Sequence, residues 1–88
     1  MEIKIDDIII DTEKSFDEQS QEVQSYLYNL MNSNSSKITF DGFNRPVKEV
    51  WKIENSDFNI VRNSVYINQN HNWNMQSQNI IFEEVSNE

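Results

Sequence analysis

The residues able to do chemistry are few, and their spacing limits them further. His71 is the sole histidine, flanked by Asn70 and Asn72. One imidazole among amides lacks the carboxylate or histidine companions of a zinc site. As a general base it would need a nucleophile and an orienting group, which no neighbouring residue supplies. Asp6, Asp7, Asp11 and Glu13 gather oxygen ligands near the N-terminus, without the alternating acids, glycine and distal glutamate of a calcium loop. If the chain is extended there, the isoleucines at 8–10 hold Asp7 and Asp11 too far apart to share an ion. A single glycine leaves no phosphate-cradling loop. With no cysteine, disulfides, thiolate nucleophiles and thiolate metal sites are excluded. The expectation is a protein without catalytic machinery, metal or cofactor.

Two other constellations bear on binding. Arg45, Lys48, Trp51 and Lys52 form a small basic-aromatic patch. On a strand, Lys48 and Lys52 share one face while Trp51 points to the other, which separates charge from stacking platform. Trp51 is therefore expected in the core and direct nucleic-acid binding is not expected, since seven bases in a chain of net charge −8 oppose a polyanion. The second constellation is the amide-rich segment 68–74, which carries His71 and Trp73. Trp73 there is either an aromatic anchor on an adaptable binding loop or a residue that reaches back to the core, the commoner use of tryptophan in small domains.

The elements that must position these residues follow from periodicity. Ile3 and Ile5 alternate with polar residues, so residues 2–10 read as a strand with a bulge or bend at Asp6-Asp7. Ser15 and Glu18 stand at capping-box spacing, and Phe16, Val23, Leu27 and Leu30 form one apolar stripe. These predict a helix running from Ser15 to about Met31. Ile38 and Phe40 alternate before Asp41-Gly42, a hairpin turn signal. A return strand follows through Phe43–Ile53, with Val47, Trp51 and Ile53 on one face and Pro46 marking an edge. Residues 58–67 read as one long strand or two short ones. Residues 68–79 read as polar loop, and 79–85 as a last strand, leaving 86–88 frayed. The expected fold class is α+β, one amphipathic helix packed on an antiparallel sheet of four to six strands, in one domain spanning 1–88.

An 88-residue chain with 36% apolar residues can build one core, burying roughly 60–70% of its unfolded surface. No run approaches the ~20 apolar residues of a membrane span, and the first residues lack the basic flank and apolar run of a signal peptide. A cytoplasmic location is expected. Abundant Asn and Ile with no alanine suggest an AT-rich coding sequence, which accounts for the asparagines but not for the acidity. That acidity is local. Residues 1–31 hold eight acids against Lys4 and Lys14, a balance of −6; residues 32–76 balance at +1 and the last twelve at −3.

In length, charge and residue usage the chain resembles the small acidic proteins with which phages and mobile elements inhibit host nucleases, anti-CRISPR proteins and DNA mimics among them. It also resembles immunity proteins that neutralise nuclease toxins. The resemblance implies a non-enzymatic inhibitor that binds a basic, nucleic-acid-handling protein. The expected contact residues are Asp6, Asp7, Asp11, Glu13, Asp17, Glu18 and Glu22, with His71 and Trp73 as a second contact. An immunity or antitoxin protein would use the same electrostatics. A structural subunit, whose acidity serves only solubility, would spread its charge over all faces.

Overall fold

Residues 1–85 are described by a computed structural model; the frayed end expected at 86–88 lies outside them. The first isoleucines form a hairpin and not one bent strand. β1 (Glu2–Ile5) and β2 (Ile8–Asp11) pair antiparallel, Ile3 opposite Ile10 and Ile5 opposite Ile8. Asp6-Asp7 is the whole connection, with Asp6 at φ 51°, a left-handed conformation that aspartate tolerates. Folding back explains the mixed phase of the three isoleucines: Ile8 and Ile10 turn inward with Ile3 and Ile5, and Ile9 is left exposed.

The helix begins later than the capping spacing predicts. Phe16–Glu18 forms only a 3-10 turn, Gln19 is extended, and α1 runs Gln21–Met31. Gln19 causes the break. Its buried amide donates to the carbonyls of Asp11 at 2.6 Å and Lys14 at 3.1 Å, tying the chain to the end of β2. Gln24 from the first turns of α1 then donates to the carbonyls of Phe16 and Gln19, both at 3.2 Å, the Phe16 carbonyl also accepting the Gln19 amide at 3.2 Å. The cap of α1 is Ser20, whose hydroxyl accepts the Val23 amide at 3.3 Å. Ser15 instead donates, from its amide and its hydroxyl, to the Glu18 carboxylate. These bonds, the hydroxyl first, hold the Glu18 carboxyl below its ordinary pKa.

The caps therefore have unequal weight. Ser20→Ala is expected to cost about 1 kcal/mol by orphaning the Val23 amide. Ser15→Ala, which loosens only an exposed carboxylate, should fall within about 0.5 kcal/mol of wild type. Urea midpoints of the two variants check the order, and a larger loss at Ser15 would move the helix start back to it.

The remaining chain is an antiparallel meander of β3 (Lys37–Phe40), β4 (Pro46–Lys52), β5 (Phe58–Gln69) and β6 (Asn72–Glu84), in that spatial order. Among the described residues the fold is thus α+β with one α-helix and two sheets, of two and four strands, where a single sheet was expected. Pro46 does not mark an edge strand. β4 lies between β3 and β5, and Pro46 is its first residue, facing Phe40 just past a register shift, where a missing amide is tolerated. Residues 58–69 are one strand. The segment 68–79, expected as loop, is mostly strand too: Asn70 (φ 53°) and His71 (φ 65°) alone make the turn, the double positive φ that a type I′ hairpin requires.

Val23, Leu27 and Met31 of α1 pack with Phe16, Trp51, Ile53, Ile60, Ile3 and Ile10, all at most 6% exposed. Phe58, Ile80 and Phe82 close this core on the sheet side. The core thus lies between one face of the sheet and the layer made by residues 1–31. Beyond the Ser64–Gln78 pair no helix among the described residues covers the β5–β6 hairpin, which projects as an arm. The Cα radius of gyration is 14.5 Å, against about 12 Å for a compact chain of this length, and the longest extent is 47 Å. Among the described residues, no helix is long and apolar enough to cross a membrane.

Candidate interaction surfaces

The acids of residues 1–31 decorate the layer above the core. Asp6, Asp7, Glu13, Asp17, Glu18 and Glu22 are exposed and Asp11 is half-buried. They do not converge on one point. Asp6 and Asp7 form the tip of the first hairpin, while Asp11 closes its other end, four residue steps or about 13 Å from Asp7, and Glu13 follows. Asp17 and Glu18 sit on the 3-10 turn, and Glu22 opens α1, where its charge suits the helix dipole. Among the described residues no three of them approach closely enough to hold a metal ion. The tip carboxylate of Asp6, with Glu54, faces Tyr26. Burial first, and these two charges second, push the Tyr26 hydroxyl above its ordinary pKa.

What unites these acids is the absence of basic partners. Among the described residues the side-chain ion pairs are Arg45–Asp41 at 2.8 Å, Arg62–Glu49 at 2.9 Å and Lys48–Glu83 at 3.6 Å, all on the large sheet and its β3–β4 loop. In residues 1–31 the one ion pair is that of Glu13 with the terminal amine at 3.8 Å, and Lys14 stands close enough to Glu18 to add to the lowering of its pKa. Three of the five lysines lie across the sheet, and Lys4 and Lys14 belong to residues 1–31. Lys48 and Lys52 alternate with the core residue Trp51, so they point away from the helix, and Lys37 joins them opposite Val50. Charge is uneven between the two faces: residues 1–31 carry eight acids against Lys4 and Lys14, and the back of the sheet carries Lys37, Lys48 and Lys52 with Glu83.

His71 and Trp73 belong to a different place. Asp17 borders a cleft that reaches Gln78, and Trp73 lies five residues farther along β6, roughly 16 Å away. The structure separates the two groups of contact residues that the sequence analysis placed in one interaction. Trp73 does not reach back to the core: it is 41% exposed, with its ring 3.5 Å from the Arg45 guanidinium and 5.2 Å from the Phe43 ring. Tyr66 adds its ring 5.6 Å from the same guanidinium and donates its hydroxyl to the Pro46 carbonyl at 3.0 Å. Aromatic faces attract a guanidinium through their quadrupole, so Arg45 is clasped from several sides.

The β3–β4 loop holds Arg45 in that clasp. Asp41 accepts from the amides of Phe43 at 2.8 Å and Arg45 at 3.0 Å while pairing with the Arg45 side chain. Asn44, at φ 62°, takes the left-handed position, not Gly42 of the Asp-Gly signal. Trp, Tyr and Arg on an exposed surface, beside Phe43 and Met75, are the residue types that dominate interface energies. Phe43 and Tyr66 escape the sequence reading, and Arg45 is grouped there with Trp51, because only the register of the strands brings all three to Trp73.

The Arg45 amide, then the Phe43 amide and the Arg45 charge, lower the Asp41 pKa in the folded chain. A lowered folded-state pKa gives stability that is present above the ordinary carboxylate pKa and lost as pH falls through the folded value. Asp41→Asn should therefore narrow the gap between urea midpoints at pH 7 and pH 3. An unchanged gap would show that the loop carboxylate does not contribute to acid sensitivity.

Comparison of the chain with protein-family models, characterised proteins and solved structures gives no match. The functional reading rests on the surfaces themselves.

Proposed function

We propose that this chain is a non-enzymatic acidic inhibitor that binds a basic, nucleic-acid-handling host protein, such as a defence nuclease, in the manner of an anti-CRISPR or DNA-mimic protein. The observation that carries the reading is the uneven surface charge, with Asp6, Asp7, Asp17, Glu18 and Glu22 exposed and outside the ion pairs found among the described residues. Unpaired carboxylates keep their full field toward solvent. Such a face attracts the positive clefts that nucleases offer to phosphates and raises the rate of encounter. Acidity serving only solubility would have no reason to concentrate eight of the fifteen acids in residues 1–31 while three of the five lysines lie on the back of the sheet. The Arg45–Trp73 clasp, neutralised by Asp41, adds a site where short-range contact can slow dissociation.

The test is capture of host proteins on immobilised wild type and on the triple variant Asp17→Lys, Glu18→Lys, Glu22→Lys. Partners held by wild type, lost from the variant and displaced by double-stranded DNA support the reading. Partners held equally by both, and indifferent to DNA, overturn it.

A further inference from the structure

The outer edge of β6 is the longest stretch of unpaired strand backbone on the molecule. β6 has 13 residues and among the described residues pairs only with β5, so its outer amides and carbonyls have no neighbouring strand there. Proteins blunt such edges with proline, lysine, bulges or short length. Residues 72–84 contain no proline, lysine or arginine. Their register shift falls between the partners of Val65 and Tyr66, so the stretch from Ser77 to Glu84 is regular, eight residues without a bulge.

A cleft of about 400 Å³ runs beside this regular stretch. Its strand wall is Gln78–Ile81, and its other wall comes from the 3-10 turn and α1. There Phe16 and Tyr28 meet edge to face, with centroids 5.0 Å apart and planes at 79°. Tyr28 is 53% exposed, an aromatic surface turned to an open cleft and not to the core. Asp17 stands on the same wall without a basic partner among the described residues, and Glu84 ends the strand in the same condition.

We propose that this edge and cleft take an extended segment of the basic partner as an added strand, apolar side chains entering against Tyr28 and Ile80 and lysine or arginine meeting Asp17 and Glu84. In strand addition the main chain supplies hydrogen bonds, and alternate side chains read the adjoining pockets. Charge chooses between occupants. A second copy would bring its own unpaired acids to an edge that already carries Asp17 and Glu84, in a chain of net charge −8. A basic segment neutralises them. The inference rests on the proposed function for the partner's charge, and it names the segment and place of contact.

The test is panning of a displayed random decapeptide library on the folded full chain, followed by binding and amide hydrogen exchange with the best synthetic peptide. Enriched peptides should carry their apolar and basic residues at every second position, on the one face that meets Tyr28, Ile80, Asp17 and Glu84, and should slow exchange within residues 77–84. Tyr28→Ala and Asp17→Lys, each checked for folding by circular dichroism, should each weaken the peptide about tenfold. Three results overturn the inference: no enrichment over an uncoated surface, binding that leaves exchange in 77–84 unchanged, or a dimer in sedimentation that protects those amides without peptide. None of these alters what the triple lysine variant does to partner capture, so this inference and the proposed function can fail separately.

Discussion

Trp51→Ala is expected to remove about 3–5 kcal/mol of stability, the range for deleting a buried aromatic ring. A chain of this length has roughly 4–13 kcal/mol in all, so the variant will sit near the edge of folding. Trp51 is 2% exposed and stands opposite Ile60 on β5, where sheet, helix and first hairpin meet. Its indole N–H donates to the Ser33 carbonyl at 3.0 Å, fixing the chain just after α1. Arg62, paired with Glu49, lays its guanidinium 5.0 Å from the ring centroid. The substitution therefore opens a cavity and orphans the Ser33 carbonyl together. Trp51→Phe keeps most of the volume and loses the hydrogen bond, so about 1–2 kcal/mol is expected. Lys52→Ala, one residue on and facing away, should change little. Urea unfolding of the three variants separates these contributions. A loss below about 1 kcal/mol for Trp51→Ala would place the ring outside the core.

That burial was legible because alternation along β4 leaves Trp51 no other face once Lys48 and Lys52 are turned to solvent. Val23 and Leu27 were legible on the same ground, helical periodicity against a single core. The start of the helix was not. Ser15 and Glu18 have the spacing of a cap, and a 3-10 turn satisfies that spacing equally well. The side chain that breaks the helix, Gln19, does so through carbonyls of Asp11 and Lys14, a tertiary bond that no local pattern announces. The hairpin tip Asp6-Asp7 looked like a bulge because a two-residue turn and a one-residue insertion interrupt alternation alike.

The arm failed for a different reason. Strand periodicity is visible only when one face is buried, and residues 68–79 at the end of the β5–β6 hairpin are all exposed. Asn, Gln and Ser are free to fill it, and the sequence there reads as loop. Trp73 then lost the context that would have assigned it. Its partners Arg45 and Phe43 lie 28 and 30 positions earlier, joined to it by the register of the meander. The acids show the converse: their segment was evident from counting, but their lack of partners needed three of the lysines placed on the far face.

The association rate with a captured partner should fall steeply with salt, and more steeply for wild type than for the triple variant Asp17→Lys, Glu18→Lys, Glu22→Lys. Each reversal adds two charges, so the three shift the formal net charge from −8 to −2. The fold should survive, since all three positions are exposed. Glu18 contributes only the local bonds from Ser15. At low ionic strength the wild-type field extends over tens of ångströms, and steering of this kind raises encounter rates by roughly 10- to 1,000-fold. At physiological salt the screening length is about 8 Å, and most of that gain is gone. The variant should therefore associate slowly at every salt concentration, with a flatter dependence. Dissociation should change less, because it is governed by contacts in place after docking. The measurement is stopped-flow or surface association of both proteins at about 20 and 300 mM salt, where the screening length falls from roughly 20 to 6 Å. A wild-type rate indifferent to salt and to reversal would sink the electrostatic reading, leaving the acids as a solubility device and the protein as a structural subunit.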